Sequence, residues 1–105
     1  MGSLALIIRS TAQPGKRGDI YAAYQEMMAP RAEANDAQEL VVWCDDVADP
    51  DRFILFEIYR DEAAFGANAE ASWFGDYMAA VGPLLASEPE VTMATPAWST
   101  GLGDD

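Results

Sequence analysis

Phe53-Ile54-Leu55-Phe56-Glu57-Ile58-Tyr59-Arg60-Asp61-Glu62-Ala63-Ala64-Phe65 is the stretch that decides the fold. Its first seven residues are apolar or aromatic except for one carboxylate. At a period of two, Ile54, Phe56 and Ile58 point one way and Phe53, Leu55, Glu57 and Tyr59 the other, which predicts a strand. Asp61 is a helix N-cap type, and the Ala-rich run behind it starts a helix. A strand thus runs straight into a helix, with a carboxylate and a phenol on one otherwise apolar strand face.

Working outward, Val47-Ala48-Asp49-Pro50-Asp51 reads as a hairpin loop and Glu39 to Asp45 as the strand before it. That strand is apolar on both faces, so both should be covered. Upstream, Leu4 to Thr11 is a strand closed by Gln13-Pro14-Gly15. Asp19 then caps a helix carrying Ile20, Tyr21, Tyr24, Met27 and Met28, which Pro30 should kink and which should end by Asn35-Asp36. Downstream, Trp73, Phe74, Tyr77, Met78, Val81, Leu84 and Leu85 recur at helical spacing, after a break near Gly66 or Ala71-Ser72. Gly82-Pro83 should distort the end of that helix. Val91 to Thr95 is a last strand, and Ser99 to Asp105 a polar tail. The order strand, helix, strand, strand, broken helix, strand is the split βαβ pattern of an α+β, ferredoxin-like domain. Such a sheet carries helices on one face only, and the apolar residues of the other face predict a second copy as its cover, hence a homodimer.

The chain has 105 residues, one domain spanning 1–105 with its core over about residues 4–98. Its 18 acidic against 6 basic residues give a net charge of −12. That balance argues against nucleic acid or an anionic membrane as a partner. The absence of histidine excludes a Ser-His-Asp triad, a His metal site and a His base, and the single Cys44 excludes an internal disulfide. No run is long enough to span a membrane and no signal-peptide shape stands at the start, so the expectation is a cytoplasmic protein. Cys44 has no activating neighbour in the pattern and reads as a small packing residue.

The run from Phe53 to Phe65, together with Arg31-Ala32-Glu33 ahead of a turn and strand, resembles the antibiotic biosynthesis monooxygenase family over nearly the whole chain, from about Leu4 to about Trp98. The resemblance implies a dimeric α+β barrel with a pocket in each subunit between the sheet and the broken helix. Members include oxygenases of quinols and polyketide anthrones that use no cofactor, haem-degrading enzymes, and proteins that isomerise or bind small molecules. Many members carry histidines soon after the Ala-rich helix start. Here Asn68 and Ala71-Ser72-Trp73-Phe74 stand in that region. The haem-degrading branch has a Trp near the Asn68 position and a His ligand near Met78; neither is present, which disfavours haem. The resemblance therefore implies a monooxygenase with no cofactor, taking a small aromatic substrate and dioxygen. A binding protein without catalysis, or an isomerase or cyclase, is the alternative on the same scaffold.

Under that reading Asn68, Trp73 and Tyr77 would orient the substrate and stabilise its anion, and Glu57 or a bound water would act as base. Each residue also has a structural reading. Asn68 fits a turn at the helix break, Trp73 and Tyr77 fit a core, and Glu57 fits a dimer-seam ion pair with Arg9 or Arg60. Arg9, Trp43, Tyr59 and Met78 are the candidates for substrate contact; the last three equally suit packing.

Overall fold

The protein is described by a computed structural model over residues 3–101. The expected polar tail lies outside the described residues beyond residue 101. Strand β1 is Leu4–Thr11; helix α1 is Arg17–Met27 and the short α2 is Ala29–Glu33. Strands β2, Gln38–Asp45, and β3, Arg52–Tyr59, form the hairpin; helices α3, Glu62–Ala69, and α4, Ser72–Val81, follow. A 3-10 turn over Gly82–Leu84 then leads to β4, Glu90–Ala94. The sheet order is β2-β3-β1-β4 with every neighbouring pair antiparallel, the ferredoxin-like arrangement.

Asp61 caps α3 as its residue type dictates, its Oδ1 accepting the Ala64 N–H at 2.8 Å. Asp19 does not cap α1. Gly15, at a φ of +78°, closes the preceding turn early enough for the helix to begin at Arg17, leaving Asp19 in the first turn. Pro30 does not kink a continuous helix either. The chain breaks at Met28, and Pro30 lies in the first turn of α2, where its missing N–H costs nothing. The long downstream helix breaks at Glu70-Ala71, at the second of the two expected places, and β4 begins one residue earlier than the pattern suggested.

The register places Leu6, Ile8, Val41, Trp43, Phe53, Leu55, Glu57 and Tyr59 on the face that the helices cover. Ile20 from α1 and Val81 from α4 are the largest fully buried side chains of the core beneath them. Each such burial contributes about 1.5–3 kcal/mol. The opposite face carries Ala5, Ile7, Leu40, Val42, Phe56 and Ile58. Residues 95–100 lie against part of it, and Val42 stays 40% and Trp98 82% exposed. Among the described residues no helix is long and apolar enough to cross a membrane.

Between Gln38 and Leu40 the β2–β3 register slips. Alternation from Val41 would send residue 39 inward and residue 38 outward. The bulge reverses this, so Gln38 pairs with Tyr59 on the helix-covered face and Glu39 is left exposed.

Candidate functional site

A cleft runs between the helices and the covered face of the sheet. It has two chambers that share Ile8, Tyr24, Met28, Glu57, Phe74 and Val91. The wider, about 380 Å³, is walled by Ile20, Phe53, Leu55, Tyr77, Met78 and Val81. The narrower, about 180 Å³, is walled by Leu6, Gln38, Tyr59, Phe65, Asn68 and Trp73. Glu57 stands on the sheet floor at their junction.

Glu57 is only 8% exposed, and no ion pair among the described residues involves it. Burial pushes its carboxyl above the ordinary carboxylate range, while hydrogen bonds from Tyr59 and Gln38 pull it back part of the way. The Gln38 Nε2 donates to Glu57 Oε1 at 3.3 Å and to the Tyr59 hydroxyl at 3.2 Å. The Asn68 Nδ2 donates to the same hydroxyl at 3.0 Å and to Gln38 Oε1 at 3.4 Å. Asn35 Nδ2 in turn donates to Asn68 Oδ1 at 3.4 Å. Since the Tyr59 oxygen already accepts two N–H groups, its own proton turns to Glu57.

Two further phenols face the carboxylate. Burial, and then the charge of Glu57, push the Tyr77 hydroxyl up to about 12, and the same two causes raise Tyr24 and Tyr59. The Tyr24 and Tyr77 rings meet edge to face, 5.9 Å apart. Among the described residues neither hydroxyl forms a protein hydrogen bond, no buried side-chain oxygen is sealed without a partner, and both tyrosines line the wide chamber. Both hydroxyls therefore open on the cleft. The result is an apolar, aromatic-walled space with one desolvated carboxylate and phenols aimed at its neighbourhood. This chemistry can take a proton from a bound molecule and stabilise the resulting oxyanion.

The structure brings Asn68, Trp73, Tyr77, Glu57, Tyr59 and Met78 to this cleft. Trp73 walls the narrow chamber and also an outer groove, where the Arg31 guanidinium lies 5.0 Å from its ring centroid. Two candidates lie elsewhere. Arg9 pairs with Ile54 on the opposite, helix-free face and is exposed, so it reaches neither the cleft nor Glu57. Trp43 shares the face of Tyr59 but sits at the other end of the strands. It stacks on Phe53 at 4.2 Å and donates its indole N–H to Asp45 at 2.8 Å. The dimer-seam reading of Glu57 fails because Glu57 is on the covered face, away from Arg9, and the one ion pair of Arg60 among the described residues, at 3.9 Å, is with Asp61. Gln38, Asn35, Tyr24, Phe65 and Phe74 were not singled out from the sequence. A polar tip within the apolar stripe of α1 was the one available signal for Tyr24.

A family model described as antibiotic biosynthesis monooxygenase matches residues 3–80. No curated protein matches the chain. Among solved structures, a protein from Mycobacterium tuberculosis, Rv0793, is 27% identical; the match covers 95% of this chain and 100% of that one, with a TM-score of 0.83. A candidate antibiotic biosynthesis monooxygenase from Chloroflexus aurantiacus is 24% identical, covering 97% and 100%, with a TM-score of 0.82. Another from Nitrosomonas europaea is 17% identical, covering 96% and 97%, with a TM-score of 0.86. The last two show a shared fold.

Proposed function

The chain belongs to the antibiotic biosynthesis monooxygenase family, and from that premise we propose that it is a monooxygenase of a small aromatic, quinol-like or anthrone-like, that uses no cofactor. One observation supports this above the others: the desolvated carboxylate of Glu57 faces a mostly apolar cleft into which the Tyr24 and Tyr77 hydroxyls open.

On an anthrone, the ring-flanked methylene is the reacting carbon. Glu57 removes one of its protons, and the substrate anion becomes the electron donor. Tyr24 and Tyr77 hold the negative charge on the substrate oxygen. The anion passes one electron to dioxygen, and the two radicals combine in a C–O bond. Protonated Glu57 returns its proton to the peroxide. Glu57 then takes the second methylene proton while the O–O bond breaks, giving a ketone and releasing hydroxide, which takes that proton from Glu57 and leaves as water. The methylene carbon gives up four electrons, dioxygen accepts four, one oxygen atom enters the product and the other leaves in water. A cleft that excludes bulk water protects the anion from reprotonation.

The test is oxygen uptake with a panel of anthrones and dihydroquinones, against the autoxidation blank, for the parent protein and for Glu57→Gln and Asn68→Ala. Uptake above the blank that falls in both variants supports the proposal. Uptake at the blank level with every panel member removes it. The same base and phenols can move protons without oxygen, so an isomerase or cyclase would be betrayed by a product of unchanged mass. A non-catalytic binding protein would be stabilised by the aromatics without turnover.

We also propose that a second copy covers the helix-free face, because Val42, Leu40 and Phe56 on that face are only partly covered by residues 95–100.

A further inference from the structure

We propose that Asn35, in the loop between α2 and β2, is a positioning residue: it fixes the direction of hydrogen-bond donation through Asn68, Gln38 and Tyr59 so that the donors converge on Glu57.

Chemistry fixes the polarity of the two ends of the chain of hydrogen bonds. At one end the backbone N–H of Ala37, which can only donate, meets Asn35 Oδ1 at 3.0 Å. At the other end stands the carboxylate of Glu57, which can only accept. Between them lie three side-chain amides and one phenol, each able to point either way. Ala37 settles the first amide: with Oδ1 taken, Asn35 offers its Nδ2, 3.4 Å from Asn68. Asn68 must then present its oxygen to Asn35 and its Nδ2 to Tyr59 and Gln38. Gln38 accepts through Oε1 and donates through Nε2 to Tyr59 and Glu57. Every link closes with one set of orientations.

The competing arrangement shows what Asn35 decides. If Asn68 turned over, its oxygen would face the Tyr59 hydroxyl, Tyr59 would donate to it, and Glu57 would lose a donor. Toward Tyr59 that exchange is nearly neutral, since one hydrogen bond replaces another, but it also sets the Asn68 oxygen against Gln38 Oε1. Asn35 opposes it from the other side, because the turned Asn68 amide would meet the Asn35 Nδ2, two donors face to face. Asn35 touches neither the wide chamber nor Glu57, and acts only through Asn68. The inference rests on Glu57 as the group that matters in the cleft, but its test does not need turnover.

The test is the titration of the Glu57 side-chain carboxyl, followed by its ¹³C shift, in the parent and in variants. Besides Tyr59, the ionisable groups facing Glu57 are Tyr24 from α1 and Tyr77 from α4, with Glu88 at the wall of the same chamber; all are left unchanged. Asn35→Ser keeps an oxygen for the Ala37 N–H but cannot reach Asn68 and adds no charge. Asn35→Ala gives up both bonds and is the second variant. Both are expected to make Glu57 titrate at a higher pH than in the parent, as Asn68→Ala also should. Adding Asn35→Ser to Asn68→Ala is expected to move it no further. A folded Asn35→Ser protein that titrates like the parent overturns the proposal, and so does an equal shift with and without Asn68. A shift in titration without oxygen uptake in any protein would retire the oxygenase reading and leave this one standing.

Discussion

The Asn68 Nδ2 lies 3.0 Å from the Tyr59 hydroxyl, tying the Ala-rich helix to the sheet floor one alternation away from Glu57. The narrow chamber carries the amides and the phenol that deliver hydrogen bonds to the carboxylate, set among apolar walls, while the wide chamber joins apolar walls to Ser10, Glu88 and the Tyr24 and Tyr77 phenols.

Removing the base should abolish most turnover. Glu57→Gln keeps the size and the hydrogen-bonding reach of the side chain but cannot take a proton, so kcat should fall by about 10²–10⁴-fold. Steady-state oxygen uptake measures it.

The same substitution should change how stability depends on pH. In the folded protein the Glu57 carboxyl holds its proton to a higher pH than in the unfolded chain, because burial disfavours its charge. The unfolded chain therefore releases that proton first. The contribution of Glu57 to stability is full below the unfolded value of about 4.3 and declines as pH rises through the folded one. Urea unfolding across this range should show the decline in the parent and not in Glu57→Gln. The same slope in both proteins would contradict it.

Ile20 is 0% exposed and forms part of the wide chamber's wall. Ile20→Ala should cost about 2–5 kcal/mol of stability, as buried Ile truncations do. Chemical denaturation measures this, with the far-UV spectrum of the folded state unchanged.

The cap on α3 should be worth about 1 kcal/mol, so Asp61→Ala should lower stability by that amount. Because α3 also carries Asn68, the amide protons of its first turn should exchange faster with solvent in the variant.

Much of the fold was legible because its signals are local. The alternation of residues 53 to 59, the Asp61 cap and the helical spacing of Trp73, Tyr77 and Val81 each reflect neighbours along the chain. The site was legible only where such a local signal reached it. Glu57 stood out as a charge in an apolar strand, and Asn68 through the family resemblance. Gln38 stayed hidden because the bulge beside it reverses the alternation that would have placed it outside. Asn35 stayed hidden because its partner is 33 residues away. Arg9 misled for the opposite reason. An arginine on an apolar strand suggests an anion site, and strand periodicity alone does not say which face the helices cover. Trp43 misled through distance, since it shares the Tyr59 face but lies toward the other end of the strands, against Phe53.

The second-copy proposal predicts a mass twice that of the chain in light scattering, persisting across a dilution series. Val42→Glu, which places a charge on the helix-free face, should shift the protein toward the single-chain mass. A single-chain mass for the parent at every concentration would remove the proposal.

If the cleft moves one atom of dioxygen into an aromatic substrate after Glu57 has taken its proton, the most direct measurement is the product mass from an anthrone turned over under ¹⁸O₂. A ketone carrying a single ¹⁸O atom is expected, formed above the autoxidation blank by the parent and at the blank rate by Glu57→Gln. Label no greater than in the blank, or equal labelling by Glu57→Gln at the parent's rate, would contradict it.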